Sequence, residues 1–209
     1  MVVSSKSWLR NRKIIHQNDS NGGLLVKVND RDVAKVFPAK GFVRGWARIL
    51  LGRTKAHKQF RSMKRLLELG IRTPESIGIR HFYPGCGKYE GALIYRFVKG
   101  VQEAGEAVKG SLRGVVFEQL GRELAVMANA GVLFVDFHLG NVMVDADGNL
   151  CWIDVEVKEG RELVRRRFWS RMERMHRKCN PGVLSEEEWE SFKAGLSENL
   201  NNPEQYDPA

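Results

Sequence analysis

Three oxygen-bearing side chains in one short stretch set the chemistry. Residues 132–154 read VLFVDFHLGNVMVDADGNLCWID. An apolar run, Val132 to Val135, ends on Asp136, and Asn141 follows five residues later. A second run, Val142 to Val144, turns through Asp145-Ala146-Asp147-Gly148 into a third, Leu150 to Ile153, which ends on Asp154. Asp-Gly between two β-like runs is a hairpin signal. Such a hairpin carries Asn141 at its entry and Asp154 at its exit, so both return to the same end, with Asp136 just before the entry. Phosphoryl transfer needs this set: one carboxylate to orient an acceptor hydroxyl and take its proton, and hard oxygen ligands to hold Mg²⁺ on phosphates. Asp136 is then the base, and Asn141 and Asp154 are the metal ligands. Singly, each piece has an ordinary reading: a turn at Asp147-Gly148, a cap at Asp136, a polar strand edge at Asn141. The joint spacing carries the assignment.

The remaining pattern supplies elements to position these groups. Lys13 to Gln17 and Leu24 to Val28 read as strands around a turn-rich loop, 18–23. Asp32 to Phe37 reads as a strand whose alternation places Lys35 with Val33 and Phe37, and a Lys on such an apolar strand needs a reason. The segment 38–55 forms a basic amphipathic helix, with Phe42, Val43, Trp46, Ile49 and Leu50 on one side and Arg44 and Arg48 on the other. It fits either a helix packed with its charges in water or an element lying at a membrane surface. His57 to Leu69 is a helix with Phe60, Met63 and Leu67 inward, stopped by Gly70. A strand at 77–79 and a longer one, Tyr89 to Val98, precede a turn at Lys99-Gly100. Gly110 to Asn129 carries Val116, Leu120, Leu124 and Met127 at helical spacing. Residues 161–178 bury Val164, Phe168, Met172 and Met175 within a rim of Arg165, Arg166, Arg167, Arg171 and Arg174, with His176 at the surface. That rim is either solvated charge or a site for an anionic sugar, since Arg pairs bidentately with phosphate. Ser185 to Glu188 is a capping box opening a last helix, and 201–209 reads as a disordered tail.

With 209 residues, 43% of them hydrophobic, the chain can bury a core in one domain or two small lobes. Three widely spaced cysteines lack metal-type spacing and fit a reducing cytoplasm. The N-terminus lacks an apolar core of signal-peptide length, and no run approaches the roughly 18 to 20 apolar residues of a spanning helix. Charge is uneven: residues 1–80 hold 18 Lys and Arg against 5 Asp and Glu, whereas the remainder is net acidic. The first part therefore faces something anionic, for which ATP, a membrane surface, a phosphorylated glycolipid or a nucleic acid would serve.

The Asp-x-His-x-x-Asn pattern, with an Asp leaving a strand thirteen residues after the Asn, resembles the catalytic loop and metal-binding Asp of the protein-kinase-like superfamily. His138 resembles its small-molecule branch. The VAKVF strand, the ELGIRTP turn and the DFHLGN to WID hairpin are most similar to bacterial lipopolysaccharide core heptose/Kdo kinases. The resemblance implies an α+β, protein-kinase-like two-lobe fold: residues 1–98 form a small antiparallel-sheet N-lobe, and 99–200 a reduced, mostly helical C-lobe. It implies ATP and Mg²⁺ as cofactors. Lys35 would bind phosphates, Gly22 and Gly23 would cover them, Tyr95 and Phe97 would flank the adenine together with Arg96, and His138 would support the loop or touch the γ-phosphate. The helix Glu that holds the Lys in kinases falls at Gln59, so Gln59, Glu68 or another group takes its place. The implied reaction phosphorylates a sugar hydroxyl of the lipopolysaccharide inner core, on heptose or Kdo, at the cytoplasmic membrane face, with 38–55 as the peripheral contact. Nucleic acid is not the expected partner, and no obligate protein partner is implied. A compact atypical serine/threonine kinase (RIO-like) and a catalytically silent kinase-fold binding module are the alternatives.

Overall fold

In the computed structural model, residues 4–17, 23–39, 41–83, 88–178 and 183–206 are described. The chain divides into two units, Met1–Lys64 with Pro74–Val98, and Arg65–Thr73 with Lys99–Ala209.

The first unit is built on an antiparallel sheet. Its elements in chain order are α1 (Ser5–Leu9), β1 (Ile14–Gln17), β2 (Leu24–Lys27), β3 (Asp32–Pro38), α2 (Phe42–Leu50), the start of α3 (Lys55–Glu68), β4 (Ser76–His81) and β5 (Tyr89–Arg96). The strands lie in the order β1-β2-β3-β5-β4. Alternation sorts the side chains between the two faces. Leu24, Val26, Ala34, Val36 and Ala92 close one face over Phe82, with Trp8 packed against them. Val33, Lys35 and Phe37 alternate with these, as their spacing requires, and Lys35 pairs in register with Leu25 and Leu93.

Within the 38–55 segment Phe42–Leu50 forms the helix α2, and its polar side is only partly in water. Arg48, placed on the polar side with Arg44, turns inward to Glu90 at 3.0 Å, and that carboxylate is 1% exposed. The other oxygen of Glu90 accepts from the backbone N–H of Lys55, so one buried acid fastens the end of α2 and satisfies a donor at the start of α3. Gly45 is buried, whereas Phe42, Val43 and Leu50 are exposed. The helix therefore presents much of its apolar side outward. On α3, the buried apolar residues are Ala56, Met63 and Leu66. Leu67, expected inside, is exposed.

The second unit holds β6 (Val101–Glu103), α4 (Ala104–Ala107), α5 (Arg113–Asn129), β7 (Val132–Phe134), β8 (Val142–Asp145), β9 (Leu150–Trp152), β10 (Val157–Glu159), α6 (Arg161–Lys178) and α7 (Glu186–Glu198). Strands β6, β8 and β9 form one small sheet, and β7 pairs with β10 in another. The long helices bury the residues their periodicity assigns: Val116, Leu120, Leu124 and Met127 on α5, Val164, Phe168, Met172 and Met175 on α6, and Trp189, Phe192 and Leu196 on α7. The capping box at Ser185 and Glu188 is present, and Glu188 also receives both Arg113 Nε (2.7 Å) and Nη2 (2.5 Å). His176, expected at the surface, stacks on Trp189 with ring centroids 4.6 Å apart.

The expectation of a disordered tail is corrected through Tyr206. A short 3₁₀ turn, Pro203–Gln205, delivers Tyr206 to a buried position against Phe168, and the Asn201 N–H donates to Asn129. An aromatic ring that can be buried outweighs the polar composition around it. Residues 207–209 lie outside the described set.

Candidate active site

The β8–β9 hairpin forms with Val142 opposite Trp152. Its turn needs Gly148: φ is +85°, and a Cβ there would lie 2.8 Å from Val115. Asp145 organises the turn by accepting from the backbone N–H groups of Asp147 and Asn149, and it pairs with Arg72 at 2.8 Å. The Arg72 guanidinium holds the Asp145 carboxyl below the usual range. At the open end, the Ile153 N–H donates to the Asn141 carbonyl at 2.9 Å, so the strand pairing extends to Asn141 and Asp154 is the residue that follows. Asp154 has φ 53°, a left-handed conformation that an L residue adopts at a cost of about 1–3 kcal/mol.

The loop from Asp136 to Asn141 is fixed from beneath and from the side. Phe137 is buried and packs between Phe134 and Trp152, with centroids 6.3 Å and 5.4 Å away. Trp152 is fully buried, and its indole N–H donates to Glu123. Burial raises the Glu123 carboxyl pKa, against the hydrogen bonds from Trp152 and Gln119. Asn141 is 7% exposed, and its Nδ2 donates to the Asp136 carbonyl at 2.8 Å. The Val135 N–H donates to Glu156, and the Val135 carbonyl accepts from Arg171 at 2.8 Å.

Within this frame Asp136 is exposed and ionised. Lys178, the last residue of α6, donates to its Oδ1 at 2.9 Å. That hydrogen bond is the main reason the Asp136 pKa is lowered, with Lys178, His138 and Arg174 charges adding and burial opposing. His138 is half-buried, and burial lowers its pKa despite the carboxylates of Asp136, Asp154 and Glu103 nearby. A neutral imidazole near pH 7 is the consequence. Gly140 admits that ring, since a Cβ there would lie 3.1 Å from His138 Nδ1.

Asp136, His138, Asn141 and Asp154 thus come together in the second unit. Lys35, Tyr95 and Phe97 belong to the first. Lys35 is half-buried on β3, with Nζ 5.9 Å from the Phe37 ring centroid. Tyr95 is half-buried near the end of β5, and Phe97 just beyond is exposed. Arg96, expected beside the adenine, is engaged by Asp32 at 2.9 Å and Glu75 at 3.4 Å. Gly23 is described and Gly22 lies outside the described residues. Of the candidate partners for Lys35, Gln59 is half-buried on α3, and Glu68 pairs with Arg65 at 3.3 Å. Sequence reasoning missed Lys178 and Arg171 as neighbours of the 136–141 loop, although 171, 174 and 178 share the i, i+3, i+7 spacing of one helix face.

Among the described residues, no group of three or more His, Cys, Asp or Glu side chains is placed to hold a metal. The Asn141 and Asp154 pair offers hard oxygens only. That donor set suits Mg²⁺, which keeps several waters and is held by one or two carboxylates together with substrate phosphates.

The description "Lipopolysaccharide kinase (Kdo/WaaP) family" matches residues 29–196. The chain belongs to that family. Among the relatives of this Kdo/WaaP member is a 3-deoxy-D-manno-octulosonic acid kinase of Xanthomonas campestris pv. campestris (strain B100), 29% identical over 50% of this chain and 42% of the relative. Another is a 3-deoxy-D-manno-octulosonic acid kinase of Xylella fastidiosa (strain M23), 26% identical over 48% of this chain and 40% of the relative. The chain spans less than half the length of those relatives in the matched region. Among solved structures, WaaP in complex with acyl carrier protein is 13% identical, covers 95% of this chain and 88% of that chain, and gives a TM-score of 0.60. WbdD co-crystallised with the kinase inhibitor LY294002 is 18% identical, covers 94% of this chain and 48% of that one, and gives 0.52. The fold is therefore that of the WaaP and WbdD kinases, α+β with an antiparallel-sheet part and a mostly helical part.

Proposed function

We propose that this protein transfers the γ-phosphate of ATP to a sugar hydroxyl of the lipopolysaccharide inner core, on heptose or on Kdo. The observation that carries the reading is the placement of Asp136, Asn141 and Asp154 at one end of a single hairpin in a Kdo/WaaP-family chain. Asp136, ionised and exposed, orients the acceptor hydroxyl and takes its proton. Asn141 and Asp154 would hold Mg²⁺, which when bound on ATP neutralises charge on the transferring phosphoryl group. Lys35 binds the phosphates, Gly22 and Gly23 belong to the loop that covers them, and Tyr95 and Phe97 flank the adenine. His138, neutral and packed under Gly140, supports the loop.

The site of action in this reading is the inner face of the cytoplasmic membrane. No helix among the described residues is long and apolar enough to cross a bilayer. The outward apolar side of α2, with Phe42, Val43 and Leu50 exposed beside Arg44, suits an element lying in the lipid interface. Incubation with γ-labelled ATP, Mg²⁺ and purified core lipopolysaccharide stripped of its phosphates tests the reading. Label is expected in the glycolipid, and mass analysis of the acceptor sugar decides between heptose and Kdo. Label on the protein alone would overturn the assignment in favour of a protein kinase.

A further inference from the structure

The contact that stands out is between Lys178 and Asp136, which lie 42 residues apart in the chain. The side chains of Lys178 and Asp136 are 38% and 56% exposed. An ion pair so open to solvent contributes little to stability, and ordering a lysine costs rotamer entropy. Folding alone gives no reason for its geometry. Three basic residues at helical spacing on α6 follow the catalytic loop: Arg171 binds the Val135 carbonyl, Arg174 adds its charge near Asp136, and Lys178 reaches the carboxylate. Asn141 fixes the backbone of the same residue by donating to its carbonyl. Asp136 is thus held at main chain and side chain by different elements.

We infer that Lys178 is a positioning residue for phosphoryl transfer, holding Asp136 Oδ1 so that Oδ2 meets the acceptor hydroxyl. The inference rests on the kinase reading given above. In the step it serves, the acceptor oxygen bonds to the γ-phosphorus while the bond from that phosphorus to the bridging oxygen of ADP breaks. The electron pair leaves with ADP, and the hydroxyl proton passes to Oδ2 of Asp136. Lys178 gives up no proton and forms no bond to phosphorus. It fixes the rotamer of the base, and misplacing a reacting group by about 1 Å can cost about a hundredfold in rate.

The test compares wild type, Lys178→Met and Lys178→Arg, and places Lys178→Met in an Asp136→Ala background, using Mg-ATP and dephosphorylated core lipopolysaccharide. Lys178→Met is expected to lower kcat about 10- to 100-fold with both KM values within about twofold. Lys178→Arg restores most of the loss. In the Asp136→Ala background Lys178→Met costs nothing further, because the group it positions is gone. Thermal midpoints stay within about a degree of one another, as the pair is exposed. Wild-type kcat in Lys178→Met overturns the inference. So does an effect confined to acceptor KM, which would make the ammonium a substrate-binding group, or a full further loss in the Asp136→Ala background. Failure of the wild type to label the acceptor removes the kinase reading itself and is told apart by that control.

Discussion

At the scale of single residues, the site depends on two kinds of constraint, oxygen donors and glycines. Asp154 and Asn141 are proposed to hold the metal, so Asp154→Ala should weaken apparent Mg²⁺ affinity in the transfer assay by about tenfold or more. A Mg²⁺ titration of initial rates at fixed ATP reads this, and an unchanged requirement would remove Asp154 from the metal site. Gly148 has φ +85° and sits 2.8 Å from Val115 at its missing Cβ, so both backbone and space oppose a side chain. Gly148→Ala is expected to destabilise by about 2 kcal/mol in a denaturant titration. These residues were legible because the constraint on each is local: Asp136, Asn141 and Asp154 belong to one 23-residue stretch whose hairpin is written in its turn. Lys178 was not legible, since its bond to Asp136 depends on where the last turn of α6 ends in space. Glu90 left a sign that went unused. An acid within the apolar run YEGALIYRF needs a reason as much as Lys35 does on β3, and the reason is Arg48 and the start of α3.

Elements fail or hold through such ties. Glu90 is the buried partner of α2, and removing one member of a buried pair leaves the other charge uncompensated. Glu90→Ala should cost about 3 kcal/mol, measured by chemical denaturation, and should increase amide exchange over 42–58. Equal exchange in variant and wild type would show that α2 is seated by other contacts. The α5–α7 contact carries a pH signature through Glu188. The Arg113 guanidinium and the Ser185 cap hold its carboxyl well below the ordinary value of 4.5, at about 2. A depressed carboxyl contributes stability that is present above about 4.5 and is lost as pH falls toward about 2. The difference in thermal midpoint between wild type and Glu188→Gln should therefore be greatest above pH 4.5 and shrink steadily toward pH 2. A difference independent of pH would assign the effect to packing. The long helices were legible from periodicity, whereas β6, α4 and β10 span only three or four residues each and carry too little pattern to declare themselves. The direction in which α2 faces was left open for a related reason: amphipathicity defines two sides and does not say which one meets the protein, and the structure turns Phe42, Val43 and Leu50 outward.

At the scale of the whole molecule, one unit bears a half-buried lysine on its sheet, and the other bears an ionised carboxylate in the same loop region as Asn141 and Asp154. Family membership and fold agree with the chemistry that the Asp-x-His-x-x-Asn pattern implied. The acceptor was less legible, because the motif serves phosphate transfer in general and does not name the hydroxyl. The most direct measurement is kcat for label transfer from γ-labelled ATP to dephosphorylated core lipopolysaccharide by wild type and Asp136→Asn, with ATP binding followed in parallel. Loss of the base should lower kcat by about 10²- to 10⁴-fold while ATP binding is retained. Undiminished transfer by Asp136→Asn would show that the hydroxyl is activated by another group and that the catalytic loop described above is not the centre of the reaction.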